Sequence, residues 1–303
     1  MDFFVIGAQK SGTTSLFEVL RSVEEVRLPR GKELPILLDE NLSDAEIRSI
    51  FTQELGAGSP DVRRGTISPQ YLTSPLAAQR IKSLYPDARL VVILRDPLER
   101  AISHYKMSSR RGIEQRDFAT AVAAELRARE QGLDVAVETA YVSGGCYGEH
   151  LRRYLDPDSA KKREILVLRT DDLSSQPEAT YRTLLAFLDL EDAELGADPS
   201  VRANVDRQDG LAMRALRRLR KMPSYKALVR HVPPTLKHRV AFQIEQRSAR
   251  PAAAEAADSI VLPPSLHTEV LALFAQDARR IQALTGATPP WLVDGESQSL
   301  TNR

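Results

Sequence analysis

Phe3-Phe4-Val5-Ile6-Gly7-Ala8-Gln9-Lys10-Ser11-Gly12-Thr13-Thr14-Ser15-Leu16 passes without a break from an apolar run, through small residues, into a helix start. An apolar run this short that ends on glycine reads as a buried strand. Gly7 and Gly12 let the backbone turn tightly, so the amides from Ser11 to Ser15 point at an anion held on the positive end of the following helix. A Gly/Ser/Thr-rich turn with a solvated lysine would account for the composition, but not for the order strand, loop, helix.

Two further apolar runs, Leu90 to Leu94 and Ile165 to Leu168, are each followed by helical patterning. Apolar strands alternating with helices predict an α/β fold: a P-loop-containing parallel sheet flanked by helices, with a helical C-terminal subregion. Asp96, Pro97 and Glu99 open one predicted helix as N-cap, first residue and third residue. Phe118 to Arg129, Glu178 to Leu188 and Leu262 to Leu284 carry further helices, the last opened by Pro263-Pro264 and closed by Gly286. Residues 296–303 read as a frayed end.

The 303 residues, 42% of them hydrophobic, suit one domain over 1–303 with a sizeable core. Forty-two basic side chains against forty-one acidic ones give no overall field that would favour nucleic acid. Cys146, the sole cysteine, cannot form an intrachain disulfide, and the N-terminus shows no export signal, so the expected compartment is the cytoplasm. Residues 206–256 form a basic subregion, with Ala212, Leu216 and Leu219 at helical spacing. It reads as a solvated helix packed on the core, or as a surface for an anionic acceptor or for peripheral membrane contact.

Against the nucleotidase pattern G-x-x-x-x-G-K-[ST], the spacing from Gly7 to Gly12 is kept, but Thr13 stands where the lysine belongs and the lysine has moved to position 10. There it can reach the bridging oxygen between a 5′-phosphate and a transferred group, where charge accumulates as the bond breaks. The strand Leu90 to Leu94 ends in Arg95, where a magnesium-using nucleotidase would place an acid. Its guanidinium fork suits a phosphate and repels a divalent cation. Ser103, about two turns into the next helix, shares a face with Asp96 and Arg100 and can offer a hydroxyl to the same phosphate. Singly, Arg95 is as well explained as an ion-pair partner, and Asp96 as a helix cap.

These two segments, together with Ser68-Pro69-Gln70-Tyr71-Leu72, resemble the sulfotransferases that use 3′-phosphoadenosine 5′-phosphosulfate (PAPS), in particular the heparan-sulfate-type branch and its bacterial relatives. The resemblance spans about the first two-thirds of the chain. It implies that Lys10, Ser11, Gly12, Thr13, Thr14 and Ser15 bind the 5′-phosphosulfate end and that Arg95 and Ser103 bind the 3′-phosphate. It also implies that Tyr147, in Cys-Tyr-Gly-x-x-Leu, is a donor-side tyrosine; a packed aromatic explains Tyr147 equally well. PAPS is then the co-substrate, with no metal required.

A hydroxyl attacks sulfur poorly unless a positioned group takes its proton. Pro29-Arg30-Gly31-Lys32-Glu33-Leu34 resembles the element carrying the catalytic glutamate of that branch, which makes Glu33 the candidate base and Lys10 its partner at the leaving oxygen. A solvated acid paired with Lys32 is the plain alternative, and His104 is the runner-up base. Leu34-Pro35-Ile36-Leu37 replaces the aromatics that often follow the glutamate. Thr66 and Ile67 stand where relatives commonly show an acidic or basic polar residue that helps arrange acceptor and base, and Arg247-Ser248-Ala249-Arg250 stands in for a basic 3′-phosphate loop. The expected reaction is in-line sulfuryl transfer to an acceptor hydroxyl on a glycan, glycolipid or metabolite. The rivals are a P-loop kinase or nucleotidase and a non-catalytic nucleotide-binding protein.

Overall fold

A computed structural model describes residues 1–155, 163–200 and 260–292, and the backbone of 207–208 and 250–251. Five parallel strands form the central sheet: β1 (Phe3–Gly7), β2 (Val26–Arg27), β3 (Arg63–Ile67), β4 (Arg89–Leu94) and β5 (Ile165–Arg169), in the order β2-β3-β1-β4-β5. The predicted runs are strands, and β3 and β2 join them. β1 lies at the centre and the chain adds strands first on one side of it, then on the other. That switch leaves a crevice outside the carboxyl ends of β1 and β4.

Alternation along the strands divides the core. Phe4, Ile6, Leu90 and Val92 face one layer, with α2 (Asp44–Leu55) and α3 (Pro75–Leu84). Phe3, Val5, Val91 and Ile93 face the other, with α1 (Thr13–Leu20) and a helix over Pro177–Phe187. With both faces covered, these strands tolerate no polar side chain, and each buried large apolar group contributes about 1.5–3 kcal/mol.

A third cluster joins α4 (Pro97–Arg110), α5 (Phe118–Glu130) and the long C-terminal helix Pro264–Thr285. Among the described residues the remaining α-helices, in chain order, are α6 (Tyr147–Leu151), α7 (Asp172–Ser175), α8 (Pro177–Phe187) and α9 (Pro264–Thr285). α9 ends, as the sequence predicts, on Gly286 with a left-handed φ of 73°. It reaches back to the site through Asp277, which accepts the amides of Gly148 (2.7 Å) and Glu149 (2.9 Å) at the start of α6. Burial raises that carboxyl's pKa, while the two amides oppose the shift.

Arg207–Gln208 (β6) and Arg250–Pro251 (β7) pair antiparallel within the basic subregion predicted to be helical. The rest of residues 206–256, including Arg247-Ser248-Ala249, and the tail 296–303 lie outside the described residues. Among the described residues no helix is long and apolar enough to cross a membrane.

Candidate active site

The loop between β1 and α1 is shaped by its neighbours. Leu72 packs so closely on Gly7 that a Cβ there would come within 2.8 Å of it. The Ala8 amide donates to the Ile93 carbonyl at 2.8 Å, tying the loop to β4. Lys10 and Gly12 both take left-handed backbone, with φ of 73° and 94°. For a lysine this conformation costs roughly 1–2 kcal/mol and marks a position that the surroundings over-determine.

No side chain caps α1, so its first amides face the loop as an anion nest. The Ser11 hydroxyl, fully buried, makes no hydrogen bond among the described residues, while the Ser11 carbonyl accepts from Thr170 Oγ1 at 3.0 Å. An orphaned buried donor at a helix start is what a phosphate or sulfate oxygen would satisfy. Of the predicted run Lys10, Ser11, Gly12, Thr13, Thr14 and Ser15, Ser11 and Thr13 are buried and the other four half-buried.

β4 delivers Arg95 to the same rim. Its Nη1 donates to the Lys10 carbonyl at 3.5 Å, and its Nε and Nη2 reach Glu99 Oε2 at 3.1 and 2.9 Å. That pair is exposed on the Glu99 side and worth only about 0.3–0.5 kcal/mol, so a phosphate can draw the guanidinium away at little cost. Asp96 caps α4 through the Glu99 amide at 2.9 Å, as the sequence predicts. Ser103 is half-buried two turns further on.

Tyr147 is fully buried, packs against Trp291 and donates its hydroxyl to the Arg95 carbonyl at 3.0 Å. Burial pushes its pKa up to about 12, so it keeps its proton and holds the strand end that carries Arg95.

The opposite wall is the segment after β2. Lys32 is buried, and its Nζ lies 3.4 Å from Thr13 Oγ1 and 3.2 Å from Glu33 Oε1. Glu33 is more open, its side chain 32% exposed. Both are fixed through Leu34, whose amide donates to Ser68 Oγ at 3.2 Å and whose carbonyl accepts from the Tyr71 hydroxyl. Tyr154 in turn donates to the Tyr71 carbonyl.

A cavity of about 550 Å³ adjoins the loop, between Gln9, Gln70, Arg100, His104, His150 and Arg153. Burial first, then Arg100 and Lys10, lower the His104 pKa to about 3. Its Nδ1 lies 3.4 Å from Arg100 Nη1, and its Nε2 is buried without a partner among the described residues. His104 is almost wholly buried beside the Arg100 guanidinium, which disfavours it beside the more open Glu33.

The burial of Lys32 and the clamp on Leu34 were not read from the sequence. The segment Ser68 to Leu72 stood out there only through its resemblance, and its hydroxyls at Ser68 and Tyr71 were the available signal.

The family described as "Sulfotransferase domain" matches residues 1–207. Human heparan sulfate glucosamine 3-O-sulfotransferase 3B1 is 28% identical over 191 residues, covering 62% of this chain and 45% of that enzyme. The bifunctional heparan sulfate N-deacetylase/N-sulfotransferase 1 of Caenorhabditis elegans is 25% identical over 205 residues, covering 62% of this chain and 22% of that protein. The chain thus spans less than half the length of these curated relatives. A sulfotransferase crystal structure from Alicyclobacillus acidocaldarius superposes with a TM-score of 0.58 at 22% identity, covering 96% of this chain and 98% of the other, a likeness of fold.

Proposed function

The chain belongs to the sulfotransferase domain family, and from that premise we propose that it transfers a sulfuryl group from PAPS to an acceptor hydroxyl. One observation carries the reading: an anion nest with a lysine inside its loop faces a lysine–glutamate pair across a few ångströms, Lys32 Nζ standing 3.4 Å from Thr13 Oγ1 and 3.2 Å from Glu33 Oε1. Bound in that nest, PAPS supplies an activated sulfuryl group whose leaving group is a phosphate.

Glu33 takes the proton of the acceptor hydroxyl as its oxygen attacks sulfur. Lys10 and the α1 amides offset the charge that develops on the departing phosphate oxygen, with the Ser11 hydroxyl, which has no partner among the described residues, beside them. Arg95 and Ser103 hold the 3′-phosphate, and Tyr147 fixes the backbone of Arg95. The side chains do no covalent chemistry, so the acceleration comes from alignment and pre-placed donors. Arg95 at the strand end, in place of an acid, supports a reaction that needs no divalent metal.

The relatives' names point to a carbohydrate acceptor. The test is incubation with labelled PAPS and a panel of glycans, glycolipids and small metabolites, with and without EDTA. Sulfated product should form with at least one acceptor, unchanged by EDTA, and calorimetry should show binding of adenosine 3′,5′-bisphosphate. Tight Mg-ATP binding with indifference to the bisphosphate would overturn the assignment in favour of a kinase or nucleotidase.

A further inference from the structure

Helix α9 and Trp291 lie outside the matched residues 1–207, yet both bear on Tyr147. The first amides of a helix need acceptors that the helix itself cannot supply. α6 opens at Tyr147, and the residue before it, Cys146, offers no side-chain cap. Asp277 of α9 takes that part from far along the chain. Its Oδ2 accepts the Gly148 amide at 2.7 Å and its Oδ1 the Glu149 amide at 2.9 Å, the two amides that an ordinary N-cap side chain would serve.

The crossing of α6 and α9 leaves no slack. A Cβ on Gly148 would come within 2.7 Å of the Asp277 carbonyl oxygen and 2.8 Å of Arg280 Cβ. One on Gly145 would come within 3.0 Å of the Phe274 ring and 3.1 Å of Pro97, the first residue of α4. Packing this close couples α9, the start of α6 and the start of α4. Tyr147 carries the placement onward: its ring lies 6.0 Å from that of Trp291, and its hydroxyl donates to the Arg95 carbonyl at 3.0 Å.

Building on the sulfotransferase reading, we propose that Asp277 is a positioning residue for recognition of the donor's 3′-phosphate, fixing Tyr147 and through it the strand end that carries Arg95. Among the described residues the Arg95 side chain is held by Glu99, exposed and easily exchanged, and by a long contact of 3.5 Å to the Lys10 carbonyl. The direction of its guanidinium is therefore set by its backbone, and the Tyr147 hydroxyl bonds that backbone directly. Asp277 then matters for a nucleotide that has a 3′-phosphate and hardly for one that lacks it.

Calorimetry with adenosine 3′,5′-bisphosphate and with adenosine 5′-phosphate separates the two cases. Asp277→Ala should weaken the bisphosphate about tenfold and the 5′-phosphate less than about twofold, with Asp277→Asn, which keeps one acceptor, in between. Tyr147→Phe keeps the buried ring, removes the hydroxyl and should reproduce the selective loss. Because the two residues act in series, the double variant Asp277→Ala/Tyr147→Phe should lose little more than either alone. A cap that serves only the fold would lower the melting temperature and weaken both nucleotides alike. That result, or losses that add in full, would overturn the role of Asp277. Where Asp277→Ala does not fold, Asp277→Asn and Tyr147→Phe carry the same comparison. If the unaltered protein binds both nucleotides equally, Arg95 holds no 3′-phosphate and the underlying donor assignment fails instead.

Discussion

From Phe3 to Leu20, strand, loop and helix make one unbroken stretch whose amides and side chains converge on the nest, whereas Lys32 and Glu33 on the facing wall sit in a loop held by residues far away in sequence. The first wall is mostly backbone, buried between two core layers. The second is side chain upon side chain: Tyr154 on Tyr71, Tyr71 and Ser68 on Leu34. A wall of backbone amides can hold the anionic donor rigidly, while a clamped loop can present a carboxylate that has to exchange partners during the reaction.

The sharpest way to separate the walls is to disable each in turn. Glu33→Gln should lower turnover about 10²–10⁴-fold with bisphosphate affinity intact, as expected for loss of a general base. Lys10→Ala should lower turnover about 10²–10³-fold and weaken the bisphosphate as well. If Glu33→Gln turns over normally, the base is elsewhere and the second wall only shapes the acceptor.

Tyr71→Phe tests the clamp alone. It leaves the buried Leu34 carbonyl without its donor, at a cost of about 1–3 kcal/mol in denaturant unfolding. Turnover should fall with it, because Glu33 loses its placement, while bisphosphate affinity stays unchanged. A parallel fall in bisphosphate affinity would show that the walls are not independent.

The cavity beside the loop should also answer to acid. Burial lowers the pKa of His104 to about 3 and of His150 to about 4. The unfolded chain, titrating near 6.5, therefore binds more protons than the folded one between that pH and the folded values, and stability falls as pH drops through this window. By linkage each histidine accounts for about 2 kcal/mol between pH 7 and 5. In urea melts at the two values, His104→Gln should reduce the loss by about that much; an unchanged difference would mean that His104 protonates without penalty.

The smallest effect belongs to Glu99→Gln. Removing the exposed partner of Arg95 should change stability by less than about 0.5 kcal/mol and leave bisphosphate affinity equal or slightly tighter, since the guanidinium is released. A marked loss of affinity would mean that Glu99 is needed to aim Arg95.

β1, β4 and β5 were legible because strands buried on both faces must be apolar throughout, and the caps at Asp96 and Gly286 were legible because capping is local chemistry. β3 was not. Its Arg63 and Arg64 turn outward to the Leu188 carbonyl (2.7 Å) and Asp2 (3.4 Å), and Gly65 is demanded by the Phe3 ring, which a Cβ would approach to 2.2 Å. Such a strand carries no periodic signal. Tyr147 read equally as a donor-side tyrosine or a packed aromatic; it is buried against Trp291, with its hydroxyl on the Arg95 carbonyl.

Residue order by itself determined the nest and its displaced lysine, because a turn, its glycines and the helix start that follows are neighbours along the chain and need no distant partner to meet. Only the tertiary structure decided where Lys32 and Glu33 stand. Leu34 is bonded to Ser68 and Tyr71, 34 and 37 residues away, and they meet only because β3 inserts between β2 and β1 and carries Ser68 to the rim beside the loop.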